Sequence, residues 1–193
     1  MKDKNLVNPG LDSLRAELNR VRYRQRYHSV VRSTVYILFM VAAAAVLVAT
    51  MLLPVLRIYG SSMTPTLCEG DIVVSLKTMD FERGDIISFY YNNKMLVKRV
   101  IAFAGEWVNI DEEGNVFVDG RLLDESYIDE KALGECDIEM PYQVPDGRLF
   151  VMGDHRATSA DSRTTTVGCV MEEQIVGRII YRVWPLNDFG PVE

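Results

Sequence analysis

The sequence predicts a mainly β fold preceded by one membrane-spanning helix. Three observations carry this expectation. An apolar run extends from Val35 to Leu56, short β-rich segments follow one another after Pro54, and no long helical pattern separates those segments.

Residues 1–34 form a basic flank. Within residues 11–28, Leu11, Leu14, Leu18 and Val21 recur at helical spacing while Arg15, Arg20, Arg22 and Arg26 surround them. This reads as a juxtamembrane helix whose arginines meet anionic headgroups. A short coiled-coil contact is the weaker alternative, because Gln25 and His28 interrupt the apolar seam.

Residues 35–56 read as the span. Only Thr50 and Pro54 break the run, and Val35 to Leu53 gives about 19 residues, or roughly 28 Å of helix, close to a hydrocarbon core. A cleaved signal peptide is the rival reading, since Ala42 to Ala45 offers small residues. That alanine run lies inside the apolar segment, however, which exceeds the roughly 7 to 15 residues of a signal h-region, so an uncleaved anchor is expected. The basic flank places the N-terminus in the cytoplasm by the positive-inside rule, and the remainder outside.

Residues 57–193 are expected to form one extracytoplasmic β domain. The strand-like runs are Asp71–Leu76, Asp85–Tyr91, Met95–Ala104, Trp107–Ile110, Val116–Val118, Leu149–Met152 and Ile175–Trp184. Asp111 to Asn115, with Gly114, and Asp119-Gly120 are hairpin turn signals, so a meander is expected from Trp107 to Leu123. Asp124 to Gly147 is acidic and aperiodic. Residues 107–147 together therefore read as a hairpin and loop excursion from the main sheet.

Charge and cysteines bound the function. The whole chain has a net charge of −6. The flank holds about +5 of the opposite sign, leaving about −11 beyond the span, which argues against a nucleic-acid partner. Cys68, Cys136 and Cys169 all fall on the outer side, where at most one bridge can form. With no CxxC spacing and only His155 on that side, neither a metal site nor a cofactor is expected.

The candidate chemistry lies in Gly60-Ser61-Ser62-Met63-Thr64-Pro65-Thr66-Leu67, just past the span, and in the strand-like run that carries Lys98. A serine hydroxyl needs a base to remove its proton. His28 is on the wrong side of the membrane. Lys98 falls in an alternating row with Leu96, Val100 and Ala102, where desolvation would lower its pKa, while Arg99 points to the other face and stays charged. Taken singly, Ser62 also reads as a turn serine and Lys98 as a surface lysine at a strand end.

Two further motifs decide between these readings: Gly84-Asp85-Ile86-Ile87-Ser88-Phe89, and the run from Met152-Gly153-Asp154-His155-Arg156 through Ser159-Ala160-Asp161-Ser162-Arg163. With the serine run and Lys98-Arg99-Val100-Ile101-Ala102-Phe103-Ala104-Gly105-Glu106, they stand in the order and spacing of the bacterial type I signal peptidases, which the chain resembles, in a Gram-positive-like form, from its anchor to about Pro185. The resemblance implies a signal-peptidase-type β-sheet domain related to the protease core of SOS repressors. It also implies a membrane-bound serine endopeptidase that cuts signal peptides from exported preproteins after Ala-x-Ala. Ser62 would be the nucleophile, its backbone N–H an oxyanion donor, and Lys98 the general base. Ser159 would orient the lysine, and Asp154, Arg156, Asp161 and Arg163 would support the site. Ile58, Tyr59, Gly60 and Ser61, with Met95, Leu96 and Val97, would pair with an extended substrate. Tyr59, Met63 and Ile86 read equally as pocket or as core. Preprotein signal peptides, the lipid bilayer and the secretion translocon are the implied partners, and the bacterial cell membrane the implied location.

Three departures from the family pattern stand out. Gly60 stands where some members carry an oxyanion-hole serine, His155 replaces a common asparagine, and Ala157-Thr158 replaces a frequent Asp-Asn pair. A self-cleaving regulatory protease of the SOS-repressor kind is disfavoured by the span. The endoplasmic-reticulum type of signal peptidase, with histidine as base, is disfavoured by Lys98. A tethered β module that binds partners through an acidic face accounts for the anchor but not for the ordered motifs.

Overall fold

The computed structural model describes residues 10–192, so Lys2, Asp3 and Lys4 of the basic flank lie outside the described residues. The chain divides into two compact units between Thr50 and Met51.

The first unit is helical. Helix α1 runs unbroken from Leu11 to Leu52, 42 residues, where the sequence suggests two separate segments. Ser29 to Thr34 contains neither glycine nor proline, so nothing interrupts the backbone ladder between them. At about 1.5 Å per residue the helix is roughly 63 Å long, twice a hydrocarbon core. Its part from Leu14 to Leu52 is long and apolar enough to cross a membrane. Ile37, Leu38, Phe39 and Met40 are exposed on it. The helix ends four residues earlier than the expected limit at Leu56. Pro54 cannot continue the ladder, and Val55 and Leu56 are taken into a sheet by Val74 and Val73.

The second unit is built from twelve strands: β1 (Val55–Arg57), β2 (Ile72–Leu76), β3 (Ile86–Tyr91), β4 (Lys94–Ala102), β5 (Trp107–Ile110), β6 (Val116–Val118), β7 (Arg121–Leu122), β8 (Tyr142–Gln143), β9 (Arg148–Met152), β10 (Val170–Met171), β11 (Ile175–Trp184) and β12 (Gly190–Pro191). The larger sheet has the order β1-β2-β11-β3-β4-β9-β10, with β12 on β11, and all its pairs are antiparallel. The smaller has the order β7-β6-β5-β8. The seven expected strands are β2, β3, β4, β5, β6, β9 and β11. The short strands β1, β7, β8, β10 and β12 are additional; two or three residues give too little alternation to register as a pattern.

Side chains on both faces of the larger sheet are buried. Phe150 and Met152 of β9 pack against Val108, Ile110, Val116 and Val118 of the smaller sheet. Leu149 and Val151 point the other way, into a cluster with Ile87, Phe89 and Val100. A third cluster, Ile58, Met63, Leu67, Val73, Ile86 and Ile179, lies beneath the loop that carries Ser62. Ile86 is thus core, 2% exposed. The expected meander is β5-β6-β7, closed at Asp119-Gly120, where both residues have positive φ (50° and 75°) as a type I′ turn requires.

Candidate active site

Ser62 sits in the loop between β1 and β2. Gly60 has φ +80°, with nothing within 4 Å of a Cβ placed there, so conformation and not space favours glycine. Ile58 then closes the loop base, its N–H donating to Asp71 O (2.8 Å) and its carbonyl accepting from Gly70 N (3.0 Å). Met63 and Leu67, 2% and 0% exposed, anchor the far side in the core. The nucleophile candidate is therefore held between two fixed points.

Lys98, on β4, is 3% exposed, and its Nζ donates to Ser62 Oγ at 2.7 Å. Its cross-strand neighbour is Ile87, and Leu96 and Val100 share its face; Ala102 lies beyond a bulge. Burial pulls the amine down to about 8. Asp161 opposes that shift, Arg163 adds to it, and Asp154 opposes it. At about 8, roughly one lysine in ten is neutral at pH 7, against about 0.04% at the ordinary value.

The loop after β9 approaches Ser62 from the other side. His155 N–H donates to Ser62 O at 3.1 Å. Gly153 makes the approach possible: a Cβ there would lie 2.2 Å from Ser159 Oγ and 2.5 Å from Ser62 O. Asp161 and Arg163 form a buried two-toothed pair, Nε to Oδ1 and Nη2 to Oδ2 both at 2.8 Å, and Asp161 Oδ2 also accepts from Gly153 N (2.9 Å). Asp154 and Arg156 are buried, but they do not pair with each other. Asp154 binds Arg99, Nε to Oδ1 at 2.9 Å and Nη2 to Oδ2 at 2.7 Å, while Arg156 Nη2 donates to Glu125 Oε1.

Ser159 differs from expectation. Its hydroxyl is buried against Gly153 and makes no hydrogen bond to Lys98 or to any other described residue. The Lys98 amine's only hydrogen bond among the described residues is to Ser62.

A cavity of about 400 Å³ opens beside Ser62, lined by Leu56, Ile58, Tyr59, Gly60, Met63 and by Met95, Leu96 and Val97 among others. Ser61 is the one expected substrate-strand residue outside this lining. Of the residues expected to offer strand edges, only Met95, Leu96 and Val97 lie in a strand. β4 meets β9 only from Arg99 onward, so residues 94–97 have no partner on that side among the described residues. Residues 58–61 are loop, because Gly60 turns the chain and the backbone of Ile58 is already paired with residues 70–71. The Ser62 N–H donates to no acceptor among the described residues. No group of three or more His, Cys, Asp or Glu among those residues could hold a metal ion.

Residues 31–184 match the family described as signal peptidase, peptidase S26. The chain belongs to that family. It is 34% identical over 152 residues to signal peptidase IB of Staphylococcus aureus (strain COL), covering 68% of this chain and 78% of that one. It is 35% identical over 143 residues to a probable signal peptidase I-2 of a Synechocystis species, covering 68% and 63%. A solved signal peptidase I of Enterococcus faecalis V583 is 28% identical and covers 51% of this chain and 96% of that one, with a TM-score of 0.42.

Arg99, Glu125 and Tyr127 were not legible as site residues. Arg99 is 2% exposed, binds Asp154, Gly84 O (2.7 Å) and Thr66 Oγ1 (3.2 Å), and lies 3.9 Å from the Tyr127 ring centroid. An arginine beside a buried strand lysine was the only signal for it. Two of the residues singled out in the sequence as departures meet: His155 Nδ1 is hydrogen bonded to Thr158 Oγ1.

Proposed function

We propose that this chain is a membrane-anchored serine endopeptidase that removes signal peptides from preproteins. Ser62 is its nucleophile and Lys98 its general base. The observation that carries the reading is the 2.7 Å contact between Lys98 Nζ and Ser62 Oγ, with the amine buried and its pKa lowered to about 8.

The neutral fraction of Lys98 accepts the Ser62 proton as Oγ attacks the scissile carbonyl. The lysine then returns that proton to the departing amine, and water hydrolyses the acyl-enzyme by the same route. The free N–H of Ser62 stabilises the oxyanion. Losing such a donor costs about 2.7 to 4 kcal/mol, which sets the worth of the second one, supplied by water or backbone since Gly60 has no hydroxyl. Asp154, Arg156, Asp161 and Arg163 hold the loop that positions Ser62. The open edge at residues 94–97 binds an extended substrate by strand addition, with residues 58–60 as the facing wall. Alternate side chains enter the apolar cavity, which suits small residues at the first and third positions before the cut.

Residues 35–52 span the bilayer, residues 1–34 lie in the cytoplasm, and residues 57–193 form the catalytic domain outside. Lipid and the secretion translocon that delivers preproteins are its neighbours. The test uses protein purified in detergent and a preprotein ending its leader in Ala-x-Ala. Cleavage by the native chain and none by Ser62→Ala or Lys98→Ala is expected, and full cleavage by either variant would remove the dyad.

A further inference from the structure

Arg57 and Lys94 line the cavity beside Ser62, and the dyad makes no use of them. Neither has a carboxylate partner among the described residues. The Arg57 guanidinium lies over the Tyr59 ring, 5.6 Å from its centroid.

Strand pairing fixes both positions. Arg57 faces Ile72 in the β1–β2 ladder. Lys94 faces Tyr91 and closes a hairpin whose turn residues, Asn92 and Asn93, have φ 43° and 61°, as a type I′ turn requires.

Their places along the chain set what they meet. Arg57 is five residues before Ser62 on one wall, and Lys94 four before Lys98 on the other. At about 3.3 Å per residue, four residues of extended substrate cover about 13 Å. Along β4, which is extended from Lys94 to Lys98, that places the fourth or fifth side chain before the cut level with Lys94, with Arg57 on the facing wall of the same cavity.

We propose that Arg57 and Lys94 form a charge-selecting subsite that favours an acidic and disfavours a basic side chain at the fourth or fifth position before the scissile bond. The proposal rests on the reading of this cleft as the signal-peptide site. Both cations are exposed, so each changes the preference by about threefold, giving an acid-to-base ratio of about ten in kcat/KM. At about 1 M salt, where screening acts over roughly 3 Å, the ratio falls toward one.

The experiment uses the full chain in non-ionic detergent and one preprotein carrying Asp or Lys at the fourth and then the fifth position before the cut. The expected ratio is about ten for the native protein, lower for Arg57→Gln and for Lys94→Gln, and below one for R57E/K94E. A native ratio near one, a ratio unchanged in both single variants, or a preference seen only when anionic lipid is added would overturn the subsite. Failure of the native protein to cut either substrate would instead overturn the signal-peptidase reading beneath it.

Discussion

Burying Lys98 costs stability, because desolvation disfavours its charged form. Its pKa of about 8 in the folded state lies below the ordinary 10.5, so the unfolded chain binds the extra proton between those values. Stability from this group therefore rises with pH across about 8 to 10.5, and the full penalty, about 3 kcal/mol, is present at pH 7. Lys98→Met is expected to raise stability at pH 7 while abolishing cleavage, with the gain shrinking toward pH 10.5; unfolding by denaturant at two pH values checks it. For the native enzyme kcat/KM should rise with pH and level off above about 8, because the protonated amine cannot act as base. Lys98→Arg should be inactive throughout, since guanidinium stays charged. Gly153 offers a second test at this scale. Gly153→Ala forces a methyl to 2.5 Å from the Ser62 carbonyl, which belongs to backbone, so Ser62 must shift with it. A loss of about 10²-fold in kcat is expected from a shift of that kind, measured with a pre-cleavage peptide under saturating conditions.

At the scale of elements, the acidic stretch after β7 works as a brace. Glu125 pairs with buried Arg156, Tyr127 covers Arg99, and the Leu133 carbonyl accepts from Arg163 Nη1 at 2.6 Å. Asp137 takes both the N–H and the hydroxyl of Thr165, at 2.6 and 2.8 Å. Three buried arginines of the site thus draw partners from a segment whose sequence shows no periodicity. Removing one partner of a buried pair costs about 3 to 5 kcal/mol, whereas an exposed pair is worth at most about 1. Glu125→Ala should therefore destabilise strongly, and Arg83→Ala, which breaks only the exposed pair with Glu106, slightly; parallel denaturation curves separate the two. Seven strands were legible here because β-rich runs of apolar residues lie between turn signals. The brace was not, because its contacts join residues 31 positions apart, Glu125 to Arg156, with no local pattern to announce them.

For the whole molecule, the native cysteines report topology. Cys68 is exposed, Cys136 half-buried, and Cys169 buried with its thiol pushed up to about 11 by burial. If residues 57–193 lie outside the membrane, a membrane-impermeant maleimide should label intact cells at Cys68, and Cys68→Ser should remove most of that label, while Cys169 reacts only after unfolding. Labelling that requires cell lysis would reverse the orientation. The amino-acid sequence by itself determined the long apolar helix and the β character, and it singled out the serine and lysine that the fold brings within 2.7 Å, because hydropathy, two-residue alternation and short motifs are local properties of a chain. Tertiary structure alone decided that Asp154 answers Arg99 and Arg156 answers Glu125, that Ser159 leaves the lysine to Ser62, and that a single helix joins the basic flank to the span. Those outcomes depend on which distant groups arrive together in a space without water, where each buried charge must find an opposite one and only the folded geometry says which.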